Sequence, residues 1–238
     1  MKSVPKTVWA LGFVSLCMDL SSELVHALLP VYMTVVLGAS MVAVGVVEGI
    51  AEATASIVKV FSGALSDRMR RRKPLVVLGY GLAALSKPLF PLASSVPLVL
   101  AARFMDRVGK GIRGSPRDAL IADVTPEGMR GAAYGLRQAL DTVGAFLGPL
   151  AAIGLMILFA SDVRTVLWFA VVPAVLALAV LVFAVHEPQA HPTERRPLSR
   201  AALRQFRAHF WLVVAIGAVM TLARFSEAFL VIRAQDLG

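Results

Sequence analysis

Charge is scarce in this sequence, and cysteine is nearly absent. Asp, Glu, Lys and Arg make up 16% of the 238 residues, while 58% are hydrophobic; soluble domains carry about 25% charge. That balance excludes an ordinary soluble domain. The single cysteine, Cys17, lies inside the first apolar stretch, which excludes an internal disulfide and argues against a zinc site. No Walker A sequence occurs, because Lys110 is followed by Gly111 and not by Ser or Thr, so ATP hydrolysis within the chain is not expected. No metal-ligating or nucleophilic constellation stands out, and neither an enzyme nor a cofactor is expected. Gly109-Lys-Gly-Ile-Arg-Gly114 fits the dinucleotide fingerprint G-x-G-x-x-G. It ends a charged helix instead of following a strand, however, and no acid lies about 20 positions onward to hold a ribose.

What the chain does have is a recurrence of long apolar segments. Seven can be read, over 7–37, 41–65, 74–94, 96–116, 129–160, 165–186 and 208–232. Each is long enough to cross a bilayer as a helix, which needs about 20 residues. The expected fold class is therefore all-α, a polytopic membrane helical bundle with the lipid bilayer as its first partner. Residues 1–6 form a positive flank like that of a signal peptide. The apolar run behind it is interrupted by Asp19 and Glu23, so it reads as a span.

The net charge of +9 lies in short loops and not along a stripe, which points to membrane topology and away from nucleic acid. With the segment Arg113–Arg130 counted among the loops, one side carries only Arg164 and Arg233; the other carries fifteen Lys and Arg, five of them between Ser66 and Pro74. The positive-inside rule then places the N-terminus in the cytoplasm of a bacterial-type plasma membrane. Residues 187–207 read as a cytoplasmic linker, with Pro188, Pro192 and Pro197 among arginines. It divides a six-helix bundle (1–186) from a single further span (208–238).

Charged residues inside the spans are costly, on the order of 2.5–3.5 kcal/mol each at a lipid-facing helix centre. Seven acids (Asp19, Glu23, Glu48, Glu52, Asp106, Asp141, Glu227) face seven bases (Lys59, Lys87, Arg103, Arg107, Lys110, Arg137, Arg224). Mutual pairing or a wet cavity is the way to tolerate them. Helical spacing puts Asp19, Glu23 and His26 on one face of the first span and Arg103, Asp106, Arg107 and Lys110 on one face of the fourth. Glu48 and Glu52 share a face of the second span, and Arg137 and Asp141 a face of the fifth. Static ion pairs are the bland reading of these sets, and His26 serves as well for packing as for carrying protons. Lys59 and Lys87 lie nearer span ends, where a lysine can snorkel.

The stretch Gly63-Ala-Leu-Ser-Asp-Arg-Met-Arg-Arg-Arg-Lys-Pro-Leu75 resembles the loop between helices 2 and 3 of the major facilitator superfamily, G-x-L-S/A-D-R-x-G-R-R/K, with Arg70 where the family usually has glycine. Ala102-Arg-Phe-Met-Asp-Arg-Val-Gly-Lys-Gly111 is similar to its span-4 motif R-x-x-x-G-x-G, with Arg103 and Arg107 as alternative bearers of the arginine. Gly144-Ala-Phe-Leu-Gly-Pro-Leu-Ala-Ala152 resembles the span-5 antiporter motif around Gly144, Gly148 and Pro149, with alanines replacing the last glycines. Gly144 and Gly148 also make a small-xxx-small packing face.

The resemblance implies inverted repeats of three spans, a cavity lined by spans 1, 4 and 7, and a second bundle of which this sequence holds one span. It implies alternating access driven by an ion gradient, usually protons, with a small-molecule substrate and a lean toward efflux. The expected substrate and proton residues are Asp19, Glu23, His26, Arg103, Asp106, Arg107, Arg224 and Glu227. Gly63, Asp67, Arg68 and Arg71 would form a cytoplasmic gate, Arg68 pairing with Asp118 or Asp123. Glu48, Glu52, Arg137, Asp141, Gly144, Gly148 and Pro149 are expected at bundle interfaces. The rival class is a non-transporting membrane scaffold or receptor made of a half-bundle.

Overall fold

Proline, glycine and small polar residues cut the apolar chain into helices. The structure, a computed structural model, describes residues 4–69, 71–187, 206–223 and 228–237. Helix α1 (Lys6–Val31) opens behind Pro5, whose carbonyl accepts from the Val8 amide at 2.9 Å. Pro30 lacks the N–H that would extend the ladder, and the chain widens into a π turn over Tyr32–Val36 before Gly38, at φ +65°, reverses it. Ser40 then caps α2 (Met41–Arg68), its side chain accepting from the Ala43 amide at 3.2 Å. Pro74 and Pro97 sit in the first turns of α3 (Lys73–Ser86) and α5 (Val96–Val124), where a missing N–H costs nothing. The short α4 (Leu89–Leu92) follows a break at Lys87-Pro88.

Helix α6 (Arg130–Leu158) is entered through a 3-10 turn over Glu127–Met129 and left through Ala160 and Ser161, both at positive φ. Then come α7 (Val163–Phe169), α8 (Val171–Ala184), α9 (Ala208–Ala223) and α10 (Ala228–Leu237).

Asp162 caps α7 from outside the spans. Its carboxylate accepts from the Thr165 hydroxyl and amide and from the Arg164 amide. These bonds, the Thr165 hydroxyl foremost, hold its pKa below the ordinary Asp value. A depressed folded-state pKa stabilises above the unfolded value, about 3.9, and that contribution is lost as pH falls through the folded value. The protection factors of the Arg164 and Thr165 amides, taken against intrinsic exchange at each pH, should therefore fall at acid pH, and Asp162→Asn should flatten that dependence. An unchanged pH profile in the variant would show that the cap does not titrate.

Helix α1 packs chiefly on α6 and α8, while α5 is clasped between α2 and α3. The seams are close because glycines leave them so. A Cβ on Gly109 would lie 2.6 Å from the Gly79 carbonyl oxygen, and one on Gly111 2.9 Å from that of Ala55. On α6, a Cβ on Gly148 would lie 2.7 Å from the Glu23 Cβ, and one on Gly144 would collide with the Leu16 carbonyl.

Burial is organised in layers. One apolar core joins Leu24, Leu28 and Leu29 of α1 and Tyr32 and Met33 of the π turn to Val99, Ala102 and Val166, Leu167 and Ala170 at the end of α7. A second joins Val8–Met18 to Val76–Ala84, Leu120, Ile121 and Ala174–Val185. Between them lie Ser22, Glu48, Lys87, Arg103, Asp106 and Arg107, all buried. A charged layer thus sits between two apolar ends.

An all-α polytopic bundle is what the sequence led one to expect. Among the described residues, five helical units are long and apolar enough to cross a membrane: Lys6–Val36, Met41–Arg68, Lys73–Leu92, Glu127–Leu158 and Val163–Ala184. Helix α5 is as long, at 29 residues, and differs from these in the charges it buries; His209–Met220 adds a shorter apolar stretch. The expected boundary at residue 116 is corrected. Helix α5 runs through Pro116 to Val124, because its late arginines find partners inside the bundle: Arg117 donates to Ser15 at 3.0 Å and Arg113 stacks on Tyr80 at 4.6 Å. Of the last span, α9 and α10 are described; residues 224–227 between them and residues 188–205 of the linker lie outside the described residues.

Candidate functional site

The buried layer is a continuous chain of charges. At its centre Arg103 grips Glu48 with two bonds, Nη2 to Oε2 at 2.8 Å and Nε to Oε1 at 3.2 Å. Such a fork-to-carboxylate pairing fixes both orientation and distance. Arg103 also lies 3.9 Å from Asp106, which binds Lys87 at 2.8 Å. Lys87 donates further to Ser22 at 3.0 Å. From Glu48 the chain continues through His26 Nε2 at 3.3 Å, and His26 Nδ1 lies 3.5 Å from Glu23. From Asp106 it continues through Arg107 at 3.8 Å to Glu52, 3.1 Å beyond.

Two expectations are corrected here. Lys87 does not snorkel. It is 1% exposed, because Asp106 and Ser22 supply inside the bundle the contacts that water would have supplied at its edge. Glu48 is not at an open interface but inside the bundle on Arg103, whereas Glu52, on the same helix, has a side chain 62% exposed.

The chain ends on a polar cavity of about 260 Å³ between α1, α2, α5 and α6. Asp19, Glu23, Glu52 and Asp141 line it together with Lys59, Lys110, Arg113 and Arg117. Asp19 and Asp141 sit side by side in its wall, and Asp141 is 3.4 Å from Arg137 one turn away. Pro149 lines a different, apolar cleft of about 430 Å³, against Leu28 and Val231. Gly144 and Gly148 are the α1–α6 seam and face no cavity wall of their own. Arg224 and Glu227 lie outside the described residues.

At the α2–α3 junction the hub is Arg72, a correction to the expected role of Arg68. Buried Arg72 binds Asp123 at 2.7 Å, Ser66 at 2.9 Å and Asp67 at 3.5 Å. Glu187 accepts from the backbone amides of Arg72 and Lys73 at the start of α3, where a helix favours negative charge. Arg68 and Arg71 are exposed, and Asp118 pairs with Arg117 at 3.3 Å instead. Gly63 lies close to Ser115, 3.3 Å from where its Cβ would be. Four arginines crowd residues 68–72, and among the described Arg68, Arg71 and Arg72 only the three-dimensional path of the chain turns Arg72 inward.

Long apolar helices around a buried ionic layer, with a polar cavity on one flank, define a polytopic membrane helical bundle. The profile of the Major Facilitator Superfamily matches residues 11–238. The chain belongs to that superfamily. It is 33% identical over 235 residues to an uncharacterised MFS-type transporter of Methanocaldococcus jannaschii, covering 99% of this chain and 58% of that one. It is 26% identical over 218 residues to the quinolone resistance protein NorA of Staphylococcus aureus, covering 91% of this chain and 54% of NorA. The crystal structure of a peptide transporter POT in complex with sulfate superposes with a TM-score of 0.71 at 22% identity, over 92% of this chain and 45% of that one. The chain thus spans about half the length of the relatives it matches.

Proposed function

We propose that this bundle is one half of a proton-coupled solute transporter that works by alternating access and runs toward efflux. The observation that carries the reading is the cavity in whose wall Asp19 and Glu23 stand, Glu23 connecting through His26 to the buried layer. Acids placed in the solute's own cavity link proton occupancy to what the cavity holds. The layer beyond them contains Glu23, Glu48, Asp106 and Glu52 against Lys87, Arg103 and Arg107, so a proton on His26 balances it. Efflux is favoured by similarity to a quinolone resistance protein.

A second bundle completes the transporter in this reading. Its docking face is the flank where Val46, Ile50, Phe146, Leu147 and Leu150 are exposed. Arg224 and Glu227 would belong to that half of the cavity. The N-terminus lies in the cytoplasm of a bacterial-type plasma membrane, in keeping with the basic residues around Arg72, and a cytoplasmic gate would be built on Arg72 with Asp67 and Asp123, beside Gly63.

The test is transport by the whole protein in proteoliposomes, with a solute panel that includes a quinolone. Asp19→Asn and Glu23→Gln should each abolish accumulation driven by a pH gradient, while solute exchange at equal pH survives. Wild-type accumulation in both variants would remove these acids from the mechanism.

A further inference from the structure

Arg103 and Arg107, the arginines that helical spacing places on the cavity face of α5, are already occupied by Glu48, Glu52 and Asp106. The cations that remain available lie one and two turns further along. Of the acids lining the polar cavity, Glu23 is engaged by His26 at 3.5 Å, Glu52 by Arg107 at 3.1 Å and Asp141 by Arg137 at 3.4 Å. Of the bases, Arg117 is engaged by Asp118 at 3.3 Å and Ser15 at 3.0 Å. Lys59, Lys110 and Arg113 form no ion pair among the described residues. Against these three stands Asp19. The cavity therefore carries a surplus of uncommitted positive charge in its wall, although its lining residues balance by name.

Arg113 is the fixed member of the set. Its backbone nitrogen and Cβ lie 2.7 Å from where a Gly79 Cβ would be, so α3 and α5 hold its stem in place. Its guanidinium stacks on Tyr80 at 4.6 Å. Arg113 is 4% exposed, yet its Nη1 is buried with no hydrogen-bond partner. A buried guanidinium N–H left without an acceptor is costly, and native structures rarely keep one without a ligand or water to fill it. Lys110 stands exposed at the cavity mouth, and Lys59 lays its stem along Gly114, its Cε 3.5 Å from the Cβ position there. A planar, oriented fork with two flexible ammonium groups beside it is the arrangement that suits an oxyanion.

We propose that Lys59, Lys110 and Arg113 form an oxyanion subsite in this cavity, taking the carboxylate, sulfate or phosphate group of an anionic solute. As a statement about substrate class it rests on the transport reading above; as a binding site it stands without it. The same chemistry would accept a lipid headgroup phosphate, and the two sources are separable.

The whole transporter, purified in neutral detergent, is titrated with sodium sulfate or sodium phosphate against sodium chloride at equal ionic strength, with thermal unfolding followed by tryptophan fluorescence. A saturable rise in Tm specific to the oxyanions is expected. Lys110→Gln, at an exposed position, and Arg113→Lys, which keeps the charge but loses the fork, should each raise the apparent Kd about tenfold or more. An equal, unsaturated rise in wild type and both variants is a general salt effect and overturns the site. In nanodiscs, a rise that requires phosphatidylglycerol over phosphatidylcholine, is absent with soluble anions and is lost in Lys110→Gln would overturn the solute assignment in favour of a bound lipid. Oxyanion binding that persists while Asp19→Asn leaves accumulation intact sinks the coupling mechanism and not this site. Abolished accumulation without oxyanion binding sinks the site alone.

Discussion

Lys87→Ala should unfold this bundle far more easily than the paired substitution Lys87→Met with Asp106→Leu. Lys87 and Asp106 are 1% and 2% exposed and meet at 2.8 Å. Removing the lysine alone leaves a buried carboxylate with its principal partner gone. Breaking a buried pair from one side costs about 3–5 kcal/mol. Replacing both partners by apolar side chains of similar volume removes both desolvation penalties together and is often close to neutral. Arg103 and Arg107, at 3.9 and 3.8 Å from Asp106, would then lose a neighbour, so full recovery is not expected. Thermal unfolding in one detergent decides the matter. Single and double variants of equal stability would mean that the pair is not the pin between α3 and α5.

A methyl group at Gly144 should separate α1 from α6, whereas a methyl group at Gly154 of the same helix should not. The Cβ added at Gly144 meets the carbonyl of Leu16, with Leu16 Cα 3.0 Å away, and backbone cannot rotate aside as a side chain can. At Gly154 nothing lies within 4 Å of the added atom. Overpacking of this kind costs about 1–3 kcal/mol, while Gly154→Ala should gain up to about 1 kcal/mol from a less flexible unfolded chain. Comparable Tm values for the two alanine variants would show that the α1–α6 seam yields without cost.

The layer structure was legible along each helix and illegible between helices. Spacing by three and four put Arg103, Asp106, Arg107 and Lys110 on one face of α5; the structure buries the first three and leaves Lys110 exposed at the cavity. The same rule put Glu48 and Glu52 together, but residues four apart sit about 40° apart around the axis. That offset is enough to turn Glu48 inward and leave Glu52 at the rim. Lys87 lies nearer the end of its span in the sequence, and only the approach of Ser22 and Asp106 from other helices reveals an interior position. Pro116 reads as a terminus for the same reason. Partners from distant parts of the chain decide these cases, and local spacing carries no trace of them.

The two apolar ends enclosing the charged layer behave as electrical insulation around a conductor. Val8, Leu11, Val14, Leu120 and Leu181 at one end, and Leu29, Met33, Phe90, Val99 and Val166 at the other, are shut off from solvent. An ion moving lengthwise through the middle of this bundle would shed its hydration twice, once in each packed end. Hydration is therefore cheapest to keep along the flank where Glu52, Lys59 and Lys110 stand exposed.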